Sequence, residues 1–441
     1  MAGTTTLILG GGWGGLTAAH HLRGLVSADH QVLVIEKSAT FSLGVSNLGL
    51  MTGERESVDQ IQRDMAKLKR PGIEWIHAEV QSLDPDTRTV QTDAGTFSGD
   101  YIVLALGAEL ASGSIPGFDE AAHNLYEAQA AAQLHDELER FEGGKIVVLV
   151  AGAPFRCPAA PYEAAMLVEA WSREHGIRDQ VEIDLYTPES IPMAVAGPVV
   201  GQALNAFMDE RGIGHHFGHQ VTAIESATHT LRFGDEEAKY DLLIGIPPHR
   251  APGAVKEAGL IDASGYVPVH PQTLELLSDP DTLEVQYPGL YAIGDIAAVR
   301  LLNSMLLPKA GVFAEGEAQV VAAAIAAAIN DGARPGVYDG NGFCYVDVGD
   351  GLAAYGAGDF YAFPAPRVSL QNPTADSRKA KQGIPVTIRV KKNRWCLDAK
   401  GPPPEQGSRS YSVLLEAGYV RHPGPQCTEA QTVPEMAFAE S

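Results

Sequence analysis

The sequence predicts an α/β fold with two Rossmann-like dinucleotide-binding units and a C-terminal cap. Three observations carry this. Short apolar runs such as "TTLIL", "QVLVIE" and "KIVVLV" alternate with helical stretches, the pattern of a parallel sheet covered by helices. A glycine-rich turn follows the first run, and "KIVVLV" opens a second, altered version of the same unit. At 441 residues the chain exceeds one hydrophobic core, and 45% hydrophobic with 20% charged residues places it among globular chains, not disordered or fibrous ones. No internal repeat stands out.

The first unit begins with "TTLILGGGWGGLTAAHHL", a buried strand, a glycine turn and a helix. Gly10, Gly12 and Gly15 satisfy G-x-G-x-x-G, and "QVLVIEK" ends a second strand in Glu36. The glycines let the backbone approach a pyrophosphate, the helix N-terminus faces that anion, and Glu36 accepts from a ribose hydroxyl. Further along, "FSGDYIVLALGAEL" runs into Gly107, and "YPGLYAIGDIAAV" sets Gly294 and Asp295 after another strand. These motifs assign residues 1–113 and 242–330 to the first unit, 114–241 to an inserted second unit, and 331–441 to the cap.

In the second unit the strand leads into "AGAPFRCPAAPYEAA". Only Gly152 remains of the glycine turn, and the prolines remove N–H donors, so NAD(P)H is a poor fit there. Glu189, after the next strand, takes the place of a ribose ligand, but without the turn it reads as solvated. Cys157 falls inside the erased turn. It reads either as a reactive thiol whose pKa a helix N-terminus lowers or as a small hydrophobe.

The formal net charge of -23 argues against nucleic acid as a partner, since phosphates need a cationic face. Residues 365–441 are the exception, with 11 Lys/Arg against 7 Asp/Glu. This basic tail reads as solvated or as a peripheral contact with an anionic membrane surface. The first strand starts almost at Met1, which leaves no signal-like segment, and the apolar run "VVAAAIAAAI" suits a buried helix better than a span. The expected location is cytoplasmic, with the tail able to touch the inner membrane face. Four cysteines make no stapling framework, so an oxidised pair would be catalytic. "GHHFGH" has metal-like spacing but no nearby Cys or carboxylate partner, and no metal site is expected.

The glycine turn, Gly107 and the "GD" segment together resemble the flavoproteins with two dinucleotide-binding domains, which implies FAD as cofactor and Asp295 on its ribityl chain. "CPAAPYEAA", "IPPHRAP", "GYVPVHPQTL", "YAIGDIAAV", "LPKAGVFAEGEAQVVAAAI" and "GFCYVDVGDGLAAYG" resemble the sulfide:quinone oxidoreductases and the related flavocytochrome c sulfide dehydrogenase flavoprotein. That resemblance implies a redox disulfide between Cys157 and Cys344, and sulfide or a related small sulfur compound as substrate. Quinone or another acceptor takes the electrons. It gives Glu163 a proton-transfer role beside the sulfur, against the plainer reading of a carboxylate stabilised by its helix. Lys309 is implied at the flavin, against the alternative of a surface lysine.

Three departures qualify the match. "FSLGVSNLG" lacks the cysteine that tethers FAD in flavocytochrome relatives, so noncovalent FAD is expected. "NLYEAQAA" lacks a third cysteine, and the tail after residue 383 shows no membrane-docking helix. Cys396 and Cys427, in that tail, read as spare thiols. The Tyr361–Pro366 stretch reads as a loop over the flavin or at a subunit edge of a homo-oligomer. A type II NADH:quinone dehydrogenase and a flavin-binding scaffold with little turnover stay open as alternatives.

Overall fold

The computed structural model describes residues 3–333 and 336–382, together with the backbone of two short strands, Ile388–Lys391 and Arg394–Leu397. Five parallel strands form the first sheet in the order Leu290–Ala292, Tyr101–Leu104, Thr5–Leu9, Gln31–Glu36, Glu74–His77. Leu7 to Leu9, Val32 to Ile35 and Ile102 to Leu104 are all buried, which is why these runs are apolar without alternation. The helix Trp13–Leu25 leaves the glycine turn and packs on the helix Gly311–Ile329.

Gly311–Ile329 is longer than the apolar run suggests. Among the described residues it is the one helix long and apolar enough to cross a membrane by length and composition. Half of it is buried inside the protein, with Phe313, Ala318, Val321 and Ile325 in the core.

The second sheet is also parallel, in the order His123–Asn124, Leu242–Ile246, Gly144–Val150, Val181–Thr187, Gly214–Phe217. In both units a three-stranded antiparallel meander immediately precedes the strand next to the centre: Val80–Ser98 in the first, Ala223–Lys239 in the second. The units are thus structural repeats, although no repeat is visible residue by residue. This moves one boundary. The strand Leu242–Ile246, assigned above to the first unit, pairs with Ile146–Val150 and belongs to the second. Its sequence "DLLIGIPP" has the same form as "DYIVLALG", the equivalent strand of the first unit, and composition alone does not tell them apart.

The cap is an antiparallel sheet of Asn341–Gly349, Leu352–Asp359 and Arg367–Leu370, followed by the helix Ala375–Gln382. Its first strand packs on the helix Ala160–Glu174 of the second unit. Gly349 lies at φ +81°, and a Cβ there would stand 2.7 Å from Cβ of Ala170, so both the turn and the close approach require glycine. A single apolar cluster includes Leu7, Val148 and Val346, one from each part. The functional cavity lies where the three parts meet.

Candidate active site

One cavity of about 1010 Å³ runs from Gly10, Gly12 and Glu36 to Cys157 and Cys344. Its first end is the glycine turn. A Cβ on Gly15 would sit 1.9 Å from O of Gly10, and one on Gly10, at φ +106°, 2.3 Å from O of Ala105, so neither position admits a side chain. Gly12 has nothing within 4 Å of its would-be Cβ and opens onto the cavity. Glu36 accepts the N–H of Gly11 at 2.5 Å and the N–H of Ser38 at 2.7 Å, which fixes its carboxylate at the cavity wall with lone pairs to spare. Gly107, at φ +69°, and Gly294, at φ +72°, turn the backbone along the wall, and Asp295 lines it beside Ala310 and Gly311 at a helix N-terminus. These residues fit FAD: a backbone cradle that any Cβ would fill, a fixed acceptor for a ribose, and room for an extended dinucleotide. Residues 41–49, where a tethering cysteine would stand, also line the cavity and contain none.

The far end carries sulfur. Cys157 adopts φ +52°, a left-handed conformation rare outside glycine, in the segment between the strand Gly144–Val150 and the helix Ala160–Glu174. That segment is pinned from two sides. The N–H of Cys157 donates to O of Lys309 at 2.7 Å, and the Tyr126 hydroxyl donates to O of Arg156 at 2.6 Å. Cys344 lies on the strand Asn341–Gly349 and lines the same cavity. Both thiols are half-buried and in no disulfide, and Sγ of Cys344 donates to O of Tyr345 at 3.4 Å.

One hydrogen bond ties the two cysteine segments together. Glu163, six residues after Cys157, accepts the N–H of Asp347, three after Cys344, at 2.7 Å. Both carboxylates are buried and share cations from the cap helix. Lys381 pairs with Glu163 and, at 2.7 Å, with Asp347; Arg378 pairs with Asp347 at 3.2 Å and with Glu54. Burial raises the Glu163 pKa, opposed by Lys381. Burial, and then the Glu163 charge, push the Cys157 thiol up to about 12, and burial and Cys157 push Cys344 up as well. The helix N-terminus therefore does not lower the Cys157 pKa as the sequence reading supposes. The helix begins only at Ala160, and desolvation outweighs its field.

Lys309 is not a surface lysine. It is 4% exposed, its Nζ donates to O of Asp295 and O of Ala297, and it sits 3.5 Å over the ring of Tyr266. Nor is Glu189 solvated. Tyr162, fully buried, donates to it at 2.5 Å, and Thr187 at 3.3 Å. The carboxylate that would meet a ribose in the second unit is satisfied from within. Gly152, the one glycine left, lies with its would-be Cβ 3.0 Å from Pro248. The "GHHFGH" histidines lie away from the cavity, on and just after the outer strand of the second sheet, and, against the sequence reading, each has a carboxylate beside it: Asp209 at His215, Asp184 at His216 and Glu236 at His219.

Asp347, Arg378 and Lys381 were missed by reading the sequence. "DSRKAKQ" reads as a solvated charged run, and nothing local says that two of its cations turn inward. Cys427 lies outside the described residues, and for Cys396 the description extends to backbone only.

A family model described as pyridine nucleotide-disulphide oxidoreductase matches residues 4–328. The mitochondrial sulfide:quinone oxidoreductase of Mus musculus is 26% identical over 302 residues, covering 66% of this chain and 64% of that protein, just under two thirds of its length. The sulfide-quinone reductase of Aquifex aeolicus is 24% identical over 370 residues, covering 81% of this chain and 83% of that one. The X-ray structure of the sulfide:quinone oxidoreductase from the same bacterium superposes with a TM-score of 0.73 at 22% identity, over 86% of this chain and 89% of that one. That likeness shows the fold.

Proposed function

The chain belongs to the pyridine nucleotide-disulphide oxidoreductase family, and from that premise we propose that it is an FAD-dependent oxidoreductase of sulfide or a related small sulfur compound, with a quinone as electron acceptor. The observation that carries the proposal is the meeting of Cys157 and Cys344 on one cavity wall, with Glu163 bonded between their segments. The names of the mouse and Aquifex relatives agree with it.

In the oxidised site Cys157 and Cys344 are joined. Hydrosulfide attacks Sγ of Cys157, an S–S bond forms there, the Cys157–Cys344 bond breaks, and Cys344 leaves as a thiolate. Cys344 then bonds to the outer sulfur of the Cys157 persulfide. That bond releases one proton and two electrons. Glu163 takes the proton, its pKa already raised by burial. Lys381 and Arg378 hold the neighbouring charge nearly neutral, so an incoming anion meets no net repulsion. FAD, held by Gly10, Gly12, Gly15, Glu36, Gly107, Gly294 and Asp295, supplies the two-electron acceptor that links sulfur to quinone.

The second unit stands against an NADH dehydrogenase, because Tyr162 and Thr187 already occupy Glu189 and prolines replace the glycine turn. Anaerobic titration of the flavin-loaded protein tests both readings at once. Sulfide should bleach the flavin and NADH should not; rapid bleaching by NADH would favour the dehydrogenase.

A further inference from the structure

Behind the cofactor cavity lies a second one of about 10 Å³, lined by Gly294, Ala297, Lys309, Ala310, Phe313 and Glu317 among others. Its size is that of one water molecule. Gly294, Lys309 and Ala310 line both cavities, so the small one adjoins the large one across these three residues. Glu317 is 2% exposed, and its Oε2 accepts the N–H of Gly294 at 2.6 Å. A buried cation and a buried carboxylate therefore face one water-sized space directly behind the cofactor site.

We propose that Glu317 takes up a proton when the bound flavin is reduced, and so compensates the arriving negative charge through Lys309. Two electrons and one proton go to the flavin, which leaves it with one negative charge. A second proton leaves solvent and forms an O–H bond on Glu317, while Lys309 stays an ammonium below pH of about 8. No other bond changes. The inference rests on the FAD part of the proposed function and not on sulfide.

The electrostatics agree with the geometry. Burial lowers Lys309 to about 8, opposed by Asp295 and Glu317. Burial raises Glu317 to about 7, opposed by the Gly294 N–H and Lys309 and assisted by Asp295. Negative charge at the cofactor raises Glu317 further, so the uptake occurs above pH of about 7, where Glu317 starts ionised. The other groups facing the pair are the Tyr266 ring under Lys309, His249 and Arg156 on the cysteine side, and Tyr338, Tyr361 and Asp339 around Glu317. Both tyrosines are held neutral by burial.

The test is a redox titration of the flavin-loaded protein, with dithionite and reference dyes, at several pH values from 6 to 8, below the titration of Lys309. Between pH 7 and 8 the midpoint potential of the wild type should fall with the slope of two protons per two electrons, and that of Glu317→Gln with half that slope. Below pH 7 the two should converge. The reduced flavin spectrum should be the same anionic one in both. Gln keeps an acceptor for the Gly294 N–H; should this variant not load flavin, Lys309→Met carries the same expectation, because loss of the cation leaves Glu317 protonated in both states. Equal slopes between pH 7 and 8, or a neutral reduced flavin in the wild type, would overturn the inference alone. A folded chain that takes up no flavin would overturn the cofactor reading and this with it.

Discussion

The two Rossmann-like units share the order of four parallel strands and an antiparallel meander in the same place, differ in whether the edge strand comes last or first in sequence, and part at the turn after the central strand. In the first unit that turn carries Gly10 and Gly15, where no Cβ fits, and Gly12, which leaves the cavity open. In the second it is a cysteine held in a left-handed conformation by the backbone of Lys309, with the would-be ribose acceptor already bonded to Tyr162. One architecture therefore keeps a cofactor cradle at one turn and offers a thiol at the other. The scaffold sets where a turn points, and the residues in the turn decide what meets it.

The widest break in that comparison should come from the cysteines. Cys157→Ser and Cys344→Ser should each slow sulfide-driven flavin reduction by about 10³-fold or more, and the double variant should be no slower, because residues acting as one unit are strongly non-additive. Stopped-flow absorbance checks it, and additive losses would separate the two thiols.

The next effect sharpens the contrast between a free thiol and one held by its fold. With the thiol raised to about 12, alkylation of reduced Cys157 at pH 7 should be on the order of 10²–10³-fold slower than in the denatured chain. The rate should climb about tenfold per pH unit from 7 to 9 without levelling, whereas denatured thiols level near about 8.5. Mass spectrometry after timed iodoacetamide exposure reads it.

Paired glycine substitutions then set the two turns side by side. Gly15→Ala forces a methyl onto O of Gly10 and should leave most of the protein without flavin, while Gly152→Ala meets only the Pro248 side chain and backbone edge and should keep it. Flavin content per chain decides, and equal retention would remove the distinction.

Smallest is Tyr162→Phe, which deletes the donor to Glu189 and should lower stability by about 1 kcal/mol in urea unfolding while leaving NADH inert. A gain of NADH reactivity would mean that this hydrogen bond alone closes the second site.

How much of this was legible depended on how local each signal is. The glycine turn, Glu36 and the "GD" segment are read within a few residues, because a strand, a tight turn and a helix N-terminus leave their marks in sequence neighbours. The erased turn was legible for the same reason. The boundary near residue 242 was not, since both units close with the same kind of strand. The partners of Glu163 come from residues 347 and 381, and Glu317 sits three residues before the run "VVAAAIAAAI", whose alanines read only as buried helix. Contacts across such separations carry no periodicity, so only the fold shows that these charges turn inward.

The cap helix Ala375–Gln382 also gives the chain an order of completion. Synthesis from the N-terminus delivers the glycine turn first, Cys157 and Glu163 midway, Cys344 and Asp347 later, and the two cations last among the residues of the site. Until Lys381 and Arg378 emerge, Glu163 and Asp347 cannot both be buried as anions, since an unpaired buried charge costs about 3–5 kcal/mol. A nascent chain can therefore complete its cofactor cradle while its sulfur end stays open, and the last turn of one short helix closes the site.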